Sequence, residues 1–160
     1  MRDQEGNVQL DMTPDASIYG AIVLGACDCD EAETISTAES LHEKLSVDTK
    51  VGGMARYVGD EYQRVAEDRD HVPGNPWFIA TLWYAQYLIL RAESVEDLTN
   101  GARTMIEWVA SHALPSGVLA EQVNPYTDAP LSVSPLTWSH ASVVITVADY
   151  VKKMRELSHT

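Results

Sequence analysis

The chain has 160 residues, enough for one domain with a single hydrophobic core. Its 45% hydrophobic and 22% charged residues are typical of a folded globular protein rather than a disordered one. The net charge of −13 argues against binding to nucleic acids or anionic membranes, because both are themselves negatively charged.

The spacing of apolar residues predicts an all-α fold of about five antiparallel helices, with no convincing strand. The helices are expected over residues 14–26, 31–45, 75–92, 96–112 and 134–154. Thr13 and Asn75 each precede a proline and are predicted to cap the first and third helices. The third helix is apolar nearly all round, so it should be packed on most sides. Its apolar stretch, 77–90, is shorter than the ~20 residues that a membrane span needs.

The fifth predicted helix has an apolar face of its own. The face is predicted to point inward, and it consists of Ala141, Val144, Ile145, Ala148 and Val151.

Two connections between helices are long, 46–74 and 113–133, and long loops inside a compact domain are usually functional. If successive helices run antiparallel, both loops emerge at the same end of the helix layer. The segment before the first helix enters there as well. A binding site is therefore expected at this end.

The first long loop combines an arginine with aromatic side chains. Arg56 supplies a planar fork of donors, and Asp60, four residues later, is placed to hold that fork. Tyr57 and Tyr62 lie close by in the sequence, and Trp77 follows at the end of the loop. Fixed donors and flat apolar rings suit a sugar site, although a surface ion pair with aromatic packing has the same composition.

The second long loop carries Glu121 between the apolar pair Leu119-Ala120 and Gln122. A carboxylate there could act as a general base on a water molecule, although most loop glutamates are simply solvated. His140, near the start of the last helix, is interpreted as a hydrogen-bonded structural histidine.

No metal or other cofactor is expected. Cys27 and Cys29 are one residue apart, which strains a disulfide, and two ligands do not complete a zinc site, so both are predicted to be free thiols. Free thiols and the absence of an apolar segment at the N-terminus slightly favour a cytoplasmic location.

Several motifs resemble one known family. They are Gly53-x-x-Arg56-Tyr57-x-x-Asp60-x-Tyr62, Gly74-Asn75-Pro76-Trp77-Phe78, Leu119-Ala120-Glu121-Gln122 and Pro135-Leu136-Thr137-Trp138-Ser139-His140-Ala141. Together they resemble glycoside hydrolase family 15, the family of glucoamylases, glucodextranases and some trehalases, over roughly residues 10–155. The resemblance implies part of an (α/α)6 toroid, and inverting hydrolysis of α-glucosidic bonds at a non-reducing end.

The resemblance also implies roles for single residues. Glu121 would be the general base that activates water, Arg56 would hydrogen-bond glucose hydroxyls, and Asp60 would orient Arg56. Trp77 would lie against the sugar subsites and Gln122, beside the base, would hold sugar or water. The tyrosines of the first loop, Tyr57 and Tyr62, would form walls.

Three departures from the family pattern bear on these roles. The family's general acid lies in a Trp-Glu segment, whereas the only adjacent pair here is the reversed Glu107-Trp108. An acidic insertion, 63–73, separates Tyr62 from Gly74, and Ala120 stands where many members have proline.

We therefore expect residues 1–160 to be a single domain, the C-terminal portion of a glucoamylase-type catalytic domain. Its substrate would be an α-glucan oligosaccharide. Its partner would be the N-terminal half of the barrel or a second copy of itself. The rival hypothesis is a non-catalytic helical module that binds glucans or another protein.

Overall fold

The computed structural model describes residues 5–8 and 10–159, and it is mostly helical as predicted. Its helices are α1 (Ser17–Val23), α2 (Ala32–Leu45), α3 (Phe78–Arg91), α4 (Val95–Asn100), α5 (Ala102–Ser111) and α6 (Thr137–Ser158). A small antiparallel hairpin, β1 (Gln122–Val123) with β2 (Pro130–Leu131), was not predicted, because two-residue strands are too short to show alternation. Within the described part of the chain, no helix is both long and apolar enough to cross a lipid bilayer.

Helix α3 is the centre of the packing, as its apolar sequence predicted. It packs against α1, α5 and α6, and most of its side chains are buried, including Phe78, Leu82 and Ala85 at 0% exposure. One hydrophobic cluster joins α3 to α1 and α2, and a second joins it to α5 and to the loop around residue 120.

The predicted helix caps Thr13 and Asn75 are wrong. The N-cap of α1 is Ala16, and that of α3 is Trp77; neither makes a side-chain capping bond. The residues before both helices pair with neighbouring segments: Asp15 with Tyr57, and Pro76 with Ala55. Backbone pairing therefore delays the start of each helix.

The predicted fourth helix is two helices, α4 and α5, separated at Gly101. Helix α4 begins with a capping box in which Ser94 and Asp97 satisfy each other's backbone N–H groups. At Gly101, an added Cβ would lie 3.0 Å from the carbonyl oxygen of Asp97, so the chain turns there without a side chain.

The prediction for the inward face of α6 is also wrong. Ser139, Ser142 and Thr146 are buried against the rest of the domain, whereas Val144 and Ile145 are 68% and 53% exposed. Small side chains allow α6 to lie close to α3, and its larger apolar residues are left on the opposite side. The exposed apolar face of α6 comprises Ala141, Val144, Ile145, Val147, Ala148 and Val151.

Three tyrosines cluster between α1 and α3. The ring of Tyr19 lies 5.3 Å from that of Tyr84 and 5.7 Å from that of Tyr87, and its hydroxyl donates to the carbonyl oxygen of Ala38 at 2.6 Å. Burial, followed by the neighbouring tyrosine Tyr87, raises the pKa of Tyr84 to about 12. Burial also raises the pKa of Tyr19 well above its ordinary value.

The raised pKa values of Tyr19 and Tyr84 predict that the folded protein loses stability above pH 10. The ordinary pKa of a tyrosine is 10.0, so above that pH the unfolded chain releases these protons before the folded chain does. The free energy of unfolding should therefore fall as the pH rises from 10 toward 12. Urea unfolding across this range should show a shallower fall for Tyr84→Phe, whereas Tyr126→Phe, which alters an exposed ring, should behave as wild type. An unchanged slope in Tyr84→Phe would contradict this account.

Candidate functional site

Short extended segments from both long loops lie side by side. Asp15 pairs with Tyr57, Ala55 with Pro76, and Trp77 with Gln122, and the β1–β2 hairpin continues the series. We call this the extended layer: residues 15–16, 54–57, 76–78, 121–123 and 130–133. The two long loops and the segment before α1 therefore meet at one end of the helices, as predicted.

The central segment, 76–78, is bonded on both sides. The N–H of Trp77 donates to Met54 O at 2.8 Å, and the N–H of Val123 donates to Pro76 O at 2.9 Å. The N–H of Phe78 donates to Glu121 O at 3.3 Å. These bonds fix the position of Glu121 relative to Trp77.

Two glycines allow the first loop to approach this segment closely. Gly53 has φ +85°, and a Cβ there would lie 2.5 Å from the Trp108 ring and 2.9 Å from Pro76. A Cβ at Gly74 would lie 3.0 Å from that of Asp60. A side chain at either position would push the loop away from the site.

Arg56 and Asp60 form the predicted pair. Arg56 donates from Nε to Oδ2 at 2.9 Å and from Nη2 to Oδ1 at 2.8 Å, and Asp60 is 1% exposed whereas the Arg56 side chain is 35% exposed. Partial burial opposes the charge of Arg56, but the hydrogen bonds and charge of Asp60 outweigh it and raise its pKa above the ordinary value. A fixed, charged guanidinium is therefore partly open to solvent.

Three aromatic rings surround this guanidinium. Its carbon lies 4.4 Å from the ring centre of Trp77, 4.8 Å from that of Tyr57 and 5.6 Å from that of Tyr62. Trp77 is 3% exposed, so it supports Arg56 rather than offering an open face to a ligand. Tyr62 is 45% exposed, and its hydroxyl lies 3.4 Å from Ser132 Oγ on the second loop.

Glu121 is half-buried in the adjacent segment. Its Oε2 accepts a long hydrogen bond, 3.4 Å, from Nε2 of Gln122. Gln122 is 0% exposed, and its Oε1 accepts from Nδ2 of Asn75 at 2.8 Å. Gln122 therefore contacts Glu121 and Asn75 from a buried position.

The start of α6 holds the loop that carries Glu121. The N–H of Leu119 donates to Nε2 of His140 at 3.0 Å, and Ser139 Oγ donates to Ala120 O at 2.8 Å. Because Nε2 accepts this hydrogen bond, the imidazole must be the tautomer that carries its proton on Nδ1. His140 is thus a hydrogen-bonded structural histidine, as predicted.

Among the described residues, one group has the side chains of a metal site: Asp28, Cys29 and Asp30, with ligand atoms within 4.8 Å of one another. It lies beyond the C-terminal end of α1, whereas the extended layer meets the start of that helix. Asp30 is already paired with Arg91. Burial and the two flanking aspartates raise the pKa of Cys29, which disfavours the thiolate that a metal needs, and both cysteines are free thiols.

A model of the glycosyl hydrolases family 15 matches residues 3–148. The chain belongs to glycosyl hydrolase family 15. An uncharacterized glycosyl hydrolase from Methanocaldococcus jannaschii is 32% identical over an alignment of 147 positions, and the alignment covers 86% of this chain but only 22% of that protein. The chain thus spans less than a quarter of the length of this relative.

Solved glucoamylases share the fold. A bacterial glucoamylase complexed with acarbose is 26% identical, with a TM-score of 0.72 over 87% of this chain and 20% of its own. Glucoamylases of Hormoconis resinae and Hypocrea jecorina give TM-scores of 0.69 and 0.70, each over 92% of this chain and 34% and 33% of theirs, at 18% and 17% identity. The expected fold, part of a family 15 (α/α)6 toroid, is confirmed.

Most of the residues that the sequence singled out lie in the extended layer: Arg56, Tyr57, Trp77, Glu121 and Gln122. Asp60 and Tyr62 lie outside it and contact the Arg56 guanidinium. The sequence interpretation missed Asn75 as a site residue because Asn-Pro before an apolar run resembles a helix cap. It also missed Ser139, because nothing local marks a serine whose partner lies 19 residues away.

We expect the hydrogen bond between Leu119 and His140 to stabilise the loop that carries Glu121. His140→Ala leaves the N–H of Leu119, a residue 4% exposed, without its acceptor, which should lower the free energy of unfolding by about 1–3 kcal/mol. His140→Gln offers an oxygen near the position of Nε2 and should lose less. Urea unfolding of both variants checks this; equal losses would show that ring packing, rather than the acceptor, matters.

Proposed function

We propose that this chain supplies the general-base half of a glucoamylase-type active site, which hydrolyses terminal α-glucosidic bonds with inversion. The observation that carries the proposal is that a half-buried Glu121 and the Arg56–Asp60 pair belong to the two loops that flank residues 76–78 in one hydrogen-bonded layer. A carboxylate can accept a proton from water beside a fixed array of donors for sugar hydroxyls.

The chemistry divides into two proton transfers. Water attacks the anomeric carbon from the face opposite the leaving group and gives its proton to Glu121, while the glycosidic bond breaks and a general acid protonates the leaving oxygen. Inverting enzymes hold the two carboxyls about 6.5–9.5 Å apart to leave room for that water. We propose that the acid comes from helices outside this chain.

The substrate side of the site follows from the same layer. Arg56, fixed by Asp60 and supported by Trp77, would donate hydrogen bonds to the hydroxyls of the terminal glucose of an α-glucan oligosaccharide. Tyr57 and Tyr62 flank the guanidinium and would form walls around the sugar. The glucoamylase neighbours and the acarbose found in one of them support this substrate class.

An activated substrate tests the base without the acid. α-Glucosyl fluoride needs no general acid, because fluoride leaves without a proton. We expect the chain to release β-glucose from it, with a rate at least about 100-fold lower in Glu121→Gln and unchanged in Glu67→Gln, a change to an exposed glutamate of the acidic insertion. Binding of acarbose, measured by calorimetry, should stay within a few-fold in both variants.

Two outcomes would contradict the enzymatic proposal. Equal rates in wild type and Glu121→Gln would exclude Glu121 as the base. A folded chain that binds acarbose but releases no glucose from the fluoride would favour the alternative, a non-catalytic glucan-binding module.

We also propose that residues 1–160 are the C-terminal portion of the barrel and that the exposed apolar face of α6 is covered in the complete assembly. The face holds Val144 and Ile145, both more than half exposed, beside Val147 and Val151 at 41% each. Apolar surface of this extent on one helix usually marks an interface. The partner would be the N-terminal helices of the barrel or, in their absence, a second copy of this chain.

The isolated chain should therefore self-associate through α6. Sedimentation velocity should show oligomers for wild type and for Ala110→Asp, which adds a charge to an exposed position of α5. Ile145→Asp should be monomeric, because a carboxylate at that position opposes apolar contact. A monomeric wild type, or association that survives Ile145→Asp, would contradict this role for the α6 face.

A further inference from the structure

Two buried amides connect Glu121 to the backbone of the acidic insertion. Asn75 is 1% exposed and Gln122 is 0% exposed. Nδ2 of Asn75 donates to the carbonyl oxygen of Gln63 at 2.7 Å and to Oε1 of Gln122 at 2.8 Å. Nε2 of Gln122 then donates to Glu121 at 3.4 Å. We call this chain of bonds, from Gln63 O through Asn75 and Gln122 to Glu121, the amide relay.

The orientation of each amide in the relay is forced by the previous one. A backbone carbonyl can only accept, so Asn75 must present its NH₂ group to Gln63. The second hydrogen of that group points to Gln122, which must accept it with its side-chain oxygen. The NH₂ group of Gln122 is therefore left to face the carboxylate of Glu121. A reversed Gln122 would place its oxygen against that carboxylate, which has no hydrogen to offer when Glu121 is ionised.

We propose that Asn75 is a positioning residue for Glu121 and acts through Gln122. The relay keeps one donor directed at Oε2, which restricts the rotation of the carboxylate. This inference rests on the proposed function, because the role of Glu121 as a base is itself proposed above.

The fold of the acidic insertion explains why its first residue can anchor the relay. Gln63 has φ +55°, a left-handed conformation that points its carbonyl toward Asn75. The next residue, Arg64, donates to the carbonyl oxygens of Ala66, Val72 and Pro73 at 2.8, 2.6 and 3.0 Å. The Arg64 guanidinium thus bridges the first and last parts of the insertion. The insertion lengthens the loop while the Gln63 carbonyl stays fixed beside the site.

The substitution Asn75→Asp reverses the relay with almost no change in shape. A carboxylate at this position has no hydrogen for Gln122 Oε1, so Gln122 should turn its NH₂ group toward Asp and its oxygen toward Glu121. In the wild-type chain, the side-chain amide NMR signals of Gln122 should shift with pH as Glu121 ionises. Glu121→Gln should abolish that shift and thereby assign it.

In Asn75→Asp, we expect this pH-dependent shift to be lost. On α-glucosyl fluoride, kcat should fall about 10- to 100-fold with KM within twofold, because a misdirected base impairs turnover more than sugar binding. The matched control is Asn124→Asp, whose side chain is used only as an acceptor, from the N–H groups of Tyr126 and Thr127. It should keep both the amide shift and kcat.

A second variant covers the case in which a buried charge prevents folding. Gln122→Met is uncharged and similar in length, and it removes the donor to Glu121, so it should lower kcat by a similar factor. A folded Asn75→Asp with the wild-type amide shift and kcat, or a Gln122→Met with wild-type kcat, would overturn the relay. The amide shift does not require hydrolysis, so failure of the relay can be told apart from failure of Glu121 as a base.

Discussion

The backbone of residues 76–78 is the constraint on which the rest of the candidate site depends. It is bonded on one side to the first long loop, through Met54, and on the other to the second, through Glu121 and Val123. The same segment leads directly into α3, the helix around which the domain packs. The position of the site is therefore set by the core, although nearly all of its residues lie in loops.

Arg56 shows how a chain with a net charge of −13 maintains a defined positive group at the end where the two long loops meet. Asp60 is almost fully buried, and its two carboxylate oxygens accept hydrogen bonds from Nε and Nη2 of Arg56. The rings of Trp77 and Tyr57 limit where the guanidinium can move. An arginine held in this way presents its donors in fixed directions. It therefore has little conformational entropy left to lose when it binds a ligand.

Helix α6 has two contact surfaces, and the pattern of its apolar residues does not show which of them packs against this chain. Its first turn fastens the Glu121 loop through Ser139 and His140, and its buried side uses small polar residues to approach α3. Its apolar side is exposed in this chain, which spans only 20–34% of the glucoamylase structures that share its fold. A helix with apolar residues on a second side is typical of a layer that is packed on both faces.

The sequence by itself determined the helical class, the central position of α3, the family and the grouping of both long loops at one end. These features depend on local periodicity, on helix direction and on motifs that are contiguous in the chain. The Arg56–Asp60 pair was predictable for the same reason, since its members are four residues apart.

Only the tertiary structure decided which side of α6 is buried, where α1 and α3 begin and what Asn75 does. An apolar helical face has the same pattern whether it packs on this chain or on another, so periodicity could not choose the face of α6. Asn75 and Gln122 lie 47 residues apart, and their bond exists because the extended layer brings two loops together. Contacts of that kind depend on the register between distant segments, which no local pattern encodes.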